Sequence, residues 1–202
     1  MASAPSSTTS GIHLPDTARD LVKILVTGPF GVGKTTLIDS VSEIRPLHTE
    51  EQLTQASAQV DDLDGIREKA TTTVAIDFGR ISLPGDVVLY LFGTPGQERF
   101  RSLWEDIAYG ALGALVLVDS RRIDASFDVL GLVEESGLPY AVAFNAFPDA
   151  PRHYTEEQLR SALDLEPHTP MVTCDARDTG SSIDALLALV QHLIDRHAPE
   201  SR

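Results

Sequence analysis

The stretch GPFGVGKTT, residues 28–36, constrains this chain more than any other. It follows the apolar run KILVT (23–27) and precedes LIDSVSEI (37–44), which reads as the body of a helix. Strand, glycine-rich turn and helix start, in that order, are the setting of a phosphate-binding loop. Gly28, Gly31 and Gly33 let the backbone fold tightly around an anion. The N–H groups of the loop through Phe30, Val32 and Thr36, and the helix N-terminus behind them, point at that anion. Lys34 adds a positive charge for the β- and γ-phosphates, and Thr35 offers a hydroxyl to Mg²⁺. The plainer reading is a glycine-rich turn with a solvent-facing lysine.

The pattern on either side follows from that turn. Residues 1–18 are rich in Ser, Thr, Ala and Pro and read as a disordered tail ahead of one domain over residues 19–198. The first strand covers 21–27, and the helix after the loop runs to about residue 44, stopped by Pro46. Residues 46–70 lack regular periodicity and read as a long acidic loop, either functional or simply solvated. Two β-rich runs, 73–83 and 87–92, flank Pro84-Gly85-Asp86 and signal a hairpin. Alternation of Val74, Ile76 and Phe78 with Ala75, Asp77 and Gly79 marks the first run as a half-exposed edge strand. The second is apolar throughout, as a central strand would be. Further apolar runs at 115–118, 140–144 and 171–174 alternate with helical patterns ending in an amphipathic helix over 182–197. A capping box, Thr155 with Gln158, opens the helix before the last strand.

This alternation predicts an α/β fold of the P-loop NTPase type: a mostly parallel central sheet, one antiparallel edge strand, and helices on both faces. In such sheets ligands sit at the carboxyl ends of strands. The polar turns at 28–35, 93–98, 145–149 and 174–177 each follow a strand, so they line one composite pocket.

Charge narrows the ligand. The net charge of −14 repels nucleic-acid backbones and acidic membrane surfaces, while leaving room for a locally basic nucleotide pocket. With Cys174 the single cysteine, no disulfide can form within the chain, which suits a reducing cytoplasm. The termini show no secretory signal, myristoylation glycine or prenylation cysteine, so any membrane recruitment is expected through a partner.

Over about residues 21–197 the motifs resemble the Ras-like small GTPases. GPFGVGKT is similar to their first motif and TVAIDFG (73–79) to the stretch around the switch I threonine. GTPGQERF (93–100) is similar to switch II, usually DxxGQ; NAFPD (145–149) to a degraded NKxD; and CDAR (174–177) to the SAK turn. LYLFGTPGQERF, the threonine run before VAIDFGRI, and CDARD resemble more closely the actinobacterial conservon GTPases of the CvnD type, relatives of MglA and of the GTPase encoded beside MfpA.

The resemblance implies a GTP/GDP-binding switch with GTPase activity and Mg²⁺, working with a roadblock-type regulator and a sensor-kinase-like protein. It implies that Thr73 closes over the γ-phosphate and ligates Mg²⁺, with Thr71 and Thr72 as rivals. Gln97 would orient the attacking water, and Gly96 would donate its N–H to the γ-phosphate. Asn145 would hold the pocket and face the base, with the backbone of Cys174, Asp175 and Ala176 beside it. Ala146 replaces the usual lysine and Pro148 the guanine-selecting aspartate, so Asp149 is either a bulged substitute or a turn residue.

Two departures predict slow hydrolysis: Gly93 stands where switch II carries its Mg²⁺-holding aspartate, and Phe30 crowds a position usually held by glycine. Arginines in cis at 99, 101, 121 and 122 are candidates to assist. Two other readings are a non-catalytic nucleotide-binding scaffold and an ATP-using P-loop enzyme.

Overall fold

Alternate residues of the central strands feed two cores, one on each side of a sheet. The computed structural model describes residues 20–54, 71–95, 101–148 and 154–197. In β1 (Asp20–Thr27), Ile24 and Val26 join the core under α1 (Lys34–Val41) and α5 (Thr179–His197). Leu25, between them, joins the opposite core with Trp104 of α2 (Arg101–Ala108) and Val129 of α3 (Phe127–Glu135). The period of two along the strand dictates this division. Because both faces are covered, β5 (Gly113–Asp119) is buried along its whole length.

Among the described residues the sheet has seven strands in the order β2 (Leu47–Thr54), β3 (Thr71–Leu83), β4 (Val87–Gly93), β1, β5, β6 (Tyr140–Asn145) and β7 (Met171–Cys174). β4 (Val87–Gly93), β1, β5, β6 (Tyr140–Asn145) and β7 (Met171–Cys174) are parallel neighbours. The chain builds outward from β1 to β4 on one side and to β5 on the other, which makes the carboxyl end of β1 the switch point of the topology. The loop that leaves that point is residues 28–33.

The hairpin around Pro84-Gly85-Asp86 forms as expected, joining β3 (Thr71–Leu83) to β4. The segment expected to be loop differs. Leu47–Thr54 forms strand β2, antiparallel to β3 with Leu47 opposite Phe78 and Thr54 opposite Thr71. β2 is therefore the edge, and β3 lies one strand in. Register explains the length of this pair. Asp77 sits opposite Gly93, the last residue of β4, so the part of β3 before Asp77 overhangs the carboxyl edge with only β2 beside it.

Helix α1 ends at Val41, short of residue 44, because Ser42 turns extended and its hydroxyl donates to the Ile44 carbonyl. The capping box of α4 (Glu156–Ala162) forms as read, with Thr155 Oγ1 accepting from the Gln158 N–H and Gln158 Oε1 accepting from the Thr155 N–H.

Candidate functional site

The loop after β1 takes the shape that its glycines permit. Gly28, Gly31 and Gly33 have φ of 144°, 77° and 105°, a region that side chains disfavour. Gly33 has a second reason to lack a side chain: a Cβ there would lie 2.6 Å from Asn145 Nδ2. Val32 is fully buried, whereas Phe30 stands 68% exposed at the tip.

Lys34 lies across the mouth of the loop, its ammonium donating to the carbonyls of Gly28 (2.7 Å) and Pro29 (2.9 Å). Burial pulls its pKa down to about 8, against the opposing pull of the Asp77 carboxylate. A phosphate at this mouth would restore the charge. Nucleotide affinity should therefore be complete below pH about 8 and fall above it, by up to about tenfold per pH unit, as binding must first protonate the lysine. Titration of nucleotide affinity from pH 6.5 to 9.5 checks this, and a flat profile would exclude Lys34 as the phosphate ligand.

Thr35 carries the sharpest feature of the site. Its hydroxyl donates to Asp77 Oδ2 at 2.5 Å. Asp77 is nearly buried and reaches Thr35 from β3, at the register of Gly93 on β4. A Cβ on Gly93 would lie 2.9 Å from Asp77 Cβ and 3.1 Å from Asp77 Oδ2. The carboxylate of β3 thus occupies the space that a side chain at position 93 would fill. Sequence reasoning noted the absence at Gly93 and passed over Asp77, because strand register is not written in local pattern.

Oxygen donors of this kind suit Mg²⁺, which takes one or two carboxylate or hydroxyl ligands and completes its shell with phosphate and water. Among the described residues there is no group of three or more His, Cys, Asp or Glu that could hold a metal alone. Thr35 and Asp77 together with a nucleotide phosphate fit such an ion.

Asn145 ties the loop to the far turn. Its Nδ2 donates to the Val32 carbonyl at 2.8 Å, and its Oδ1 accepts from the Ala176 N–H at 2.9 Å. Its amide is thus a clamp between phosphate loop and β7–α5 turn, with one hydrogen bond at each polar end. Cys174 is fully buried, and burial raises its thiol pKa, which makes it a packed strand end. Asp175 turns away to Arg177, whose guanidinium lies 2.7 Å from it and holds its carboxyl down at about 2.

Of the residues singled out by sequence, the structure brings together Gly28, Phe30, Gly31, Val32, Gly33, Lys34, Thr35, Thr36, Asn145 and the 174–176 turn at one sheet edge. Thr73 is elsewhere. It lies in the overhanging part of β3 opposite Gln52, four residues from Asp77, about 13 Å along an extended strand. Gly96, Gln97 and Asp149 lie outside the described residues.

Behind the site, Asp119 at the end of β5 is fully buried and paired with Arg121, Nη2 to Oδ2 at 2.8 Å. Burial pushes Asp119 up, but its hydrogen bonds from Arg121 and the charges of Arg121 and Arg122 outweigh this and hold it low. The Arg121 guanidinium also lies 3.6 Å from the centre of the Phe147 ring.

Comparison with known proteins agrees with this geometry. A family described as "conserved hypothetical ATP binding protein" matches residues 26–196. An uncharacterised protein of Methanocaldococcus jannaschii is 31% identical over 129 residues, which are 63% of this chain and 71% of that protein. The GTP-binding protein ypt2 of Schizosaccharomyces pombe is 33% identical over 102 residues, 49% of this chain and 41% of its own length. The Ras-related protein Rab-11C of Dictyostelium discoideum is 29% identical over 105 residues, 50% of this chain and 38% of its own. Thus the chain spans about two-fifths of the length of ypt2 and of Rab-11C. Among solved structures, the G domain of the T. maritima FeoB iron transporter superposes with a TM-score of 0.60 at 18% identity, over 85% of this chain and 98% of that one. The last likeness concerns the fold.

Proposed function

Because the chain belongs to the family of conserved hypothetical ATP binding proteins, we propose that it is a P-loop nucleotide switch, with GTP and GDP as its ligands and slow hydrolysis as its activity. The observation that carries this reading is the meeting of Lys34, Thr35 and Asp77 at the mouth of the loop. Lys34 would meet the outer phosphates, and Thr35 and Asp77 would hold Mg²⁺. When bound, that ion neutralises charge on the phosphate oxygens.

The family description speaks of ATP, whereas ypt2 and Rab-11C are named for GTP binding or for Ras. Two features support guanine. The Asn145 clamp fixes the Ala176 turn beside the phosphate loop, where the Ras-like resemblance expects backbone contact with the base. Asp149, one residue past Pro148, supplies a carboxylate for the N1 and N2 hydrogens that adenine lacks in that arrangement. Equilibrium binding of GDP against ADP tests the choice. At least a tenfold preference for GDP is expected, and a preference for ADP overturns it.

Phe30, at a position usually held by glycine, motivates slow turnover, with Gln97 orienting the water and Gly96 meeting the γ-phosphate. Single-turnover cleavage is expected at or below about 10⁻² s⁻¹, and Gln97→Leu should abolish it. The same residue favours a second reading, a scaffold that holds nucleotide uncut. Absent turnover would select that scaffold, and turnover unchanged in Gln97→Leu would remove Gln97 from the reaction.

The resemblance to conservon GTPases extends the proposal to a bacterial signalling complex with a roadblock-type regulator and a sensor-kinase-like partner. Among the described residues no helix is long and apolar enough to cross a membrane, so recruitment to one is assigned to such a partner.

A further inference from the structure

We propose that Arg122 is an arginine finger in cis, the residue that stabilises charge on the γ-phosphate during hydrolysis. The inference rests on the GTPase reading above and deepens it.

Two adjacent arginines follow β5, and the structure separates their roles. Arg121 is committed: its Nε and Nη2 donate to both oxygens of the buried Asp119, at 2.9 and 2.8 Å, and its plane lies over Phe147. It braces the turn. Arg122 reaches the other way. Its Nη2 donates to the Phe30 carbonyl at 3.1 Å and lies 3.8 Å from where a Cβ of Gly31 would stand. Its remaining side-chain tie among the described residues is a long one, Nε to Asp119 Oδ2 at 3.9 Å, and its side chain is 53% exposed.

Arg122 is thus a guanidinium laid on the tip of the phosphate loop, anchored at its base and open at its head. Among the described residues most of its N–H groups have no partner and are left for an incoming anion. Lys34 covers the start of the same loop from inside, at Gly28 and Pro29. A γ-phosphate between them would be met by two cations from opposite sides. Phe30 does not bar this arginine, because its ring projects into solvent while its carbonyl holds the guanidinium.

In the step itself, the oxygen of water adds to the γ-phosphorus as the bond to the β–γ bridging oxygen breaks. The products are GDP, inorganic phosphate and one proton released from the water. Arg122 donates to γ-oxygens and to the bridging oxygen as negative charge grows there. No partner arginine is needed for the basal reaction.

The test compares wild type, Arg122→Ala and Arg122→Lys in the full chain. Three quantities are measured: GDP affinity, single-turnover GTP cleavage, and retention of GDP with aluminium fluoride in the absence of any partner. Wild type is expected to cleave GTP and to form the fluoroaluminate complex. Both variants should bind GDP within about threefold of wild type, cleave at least tenfold more slowly, and fail to form that complex. Cleavage within twofold of wild type in Arg122→Ala overturns the proposal. So does a loss of GDP affinity equal to the loss of rate, which would make Arg122 a support of the loop. If wild type binds GDP but not GTP, or binds neither, the GTPase reading fails first, and the finger with it.

Discussion

Asn145→Ala should lower the melting temperature by roughly 4–24 °C and weaken nucleotide binding together with it. The side chain is almost fully buried and serves two backbone groups at once, the Val32 carbonyl and the Ala176 N–H. Alanine leaves both unpaired where water does not reach. At about 1–3 kcal/mol for each stranded group, the total is about 2–6 kcal/mol, and a domain of this size loses about 2–4 °C per kcal/mol. The vacated space lies against Gly33, whose missing Cβ makes room for Asn145 Nδ2, so the loop would also lose its backstop. Thermal unfolding with and without GDP separates the two effects. A melting temperature within about 2 °C of wild type would show that the clamp contributes little.

Asn145 also illustrates what the sequence can and cannot disclose. The motif NAFPD announces that the residue matters, and its place at the end of an apolar strand puts it at the ligand edge of the sheet. What it does there depends on distances to residues 113 and 31 positions away in the chain. Those partners tie one N–H and one lone pair of its amide to backbone, which fixes the side chain at the pocket and leaves the second N–H and lone pair for the base. The central strands were legible for a simple reason: burial on both faces demands continuous apolar runs, as in GALVLVD of β5. β2 was not. LHTEEQLT is polar and acidic, and it forms a strand because β3 offers a ladder to pair with. Tertiary context of this kind overrides weak local preference.

Arg121 and Arg122 show the same limit more finely. Adjacent and identical, they cannot be ranked from sequence. Only the buried carboxylate of Asp119 on one side and the Phe30 carbonyl on the other assign one to the frame and one to the phosphate loop.

The Mg²⁺ site admits a relocation test that a generic loss-of-function variant does not. Asp77→Gly should reduce the Mg²⁺-dependent gain in GDP affinity by roughly 10–100-fold, the range seen when a group supporting a metal is removed. Gly93→Asp alone should do no better. Its Cβ would meet Asp77 Cβ at 2.9 Å and Ile38 Cδ1 at 3.1 Å, and two carboxylates would compete for one space, each raising the pKa of the other. The double variant, Asp77→Gly with Gly93→Asp, exchanges the residues across the β3–β4 register. It should recover the Mg²⁺ dependence to within about threefold of wild type, because the carboxylate returns to the same place beside Thr35 from the neighbouring strand. Asp77→Ala is the wrong partner for this exchange, since the alanine Cβ would keep the 2.9 Å conflict that only glycine at 77 removes. GDP affinity measured with Mg²⁺ and with chelator reads all of these. A double variant no better than the worse single one would mean that Asp77 supports Thr35 and the fold rather than the ion. Recovery would mean that what the site requires is a carboxylate at that point in space, whichever strand carries it.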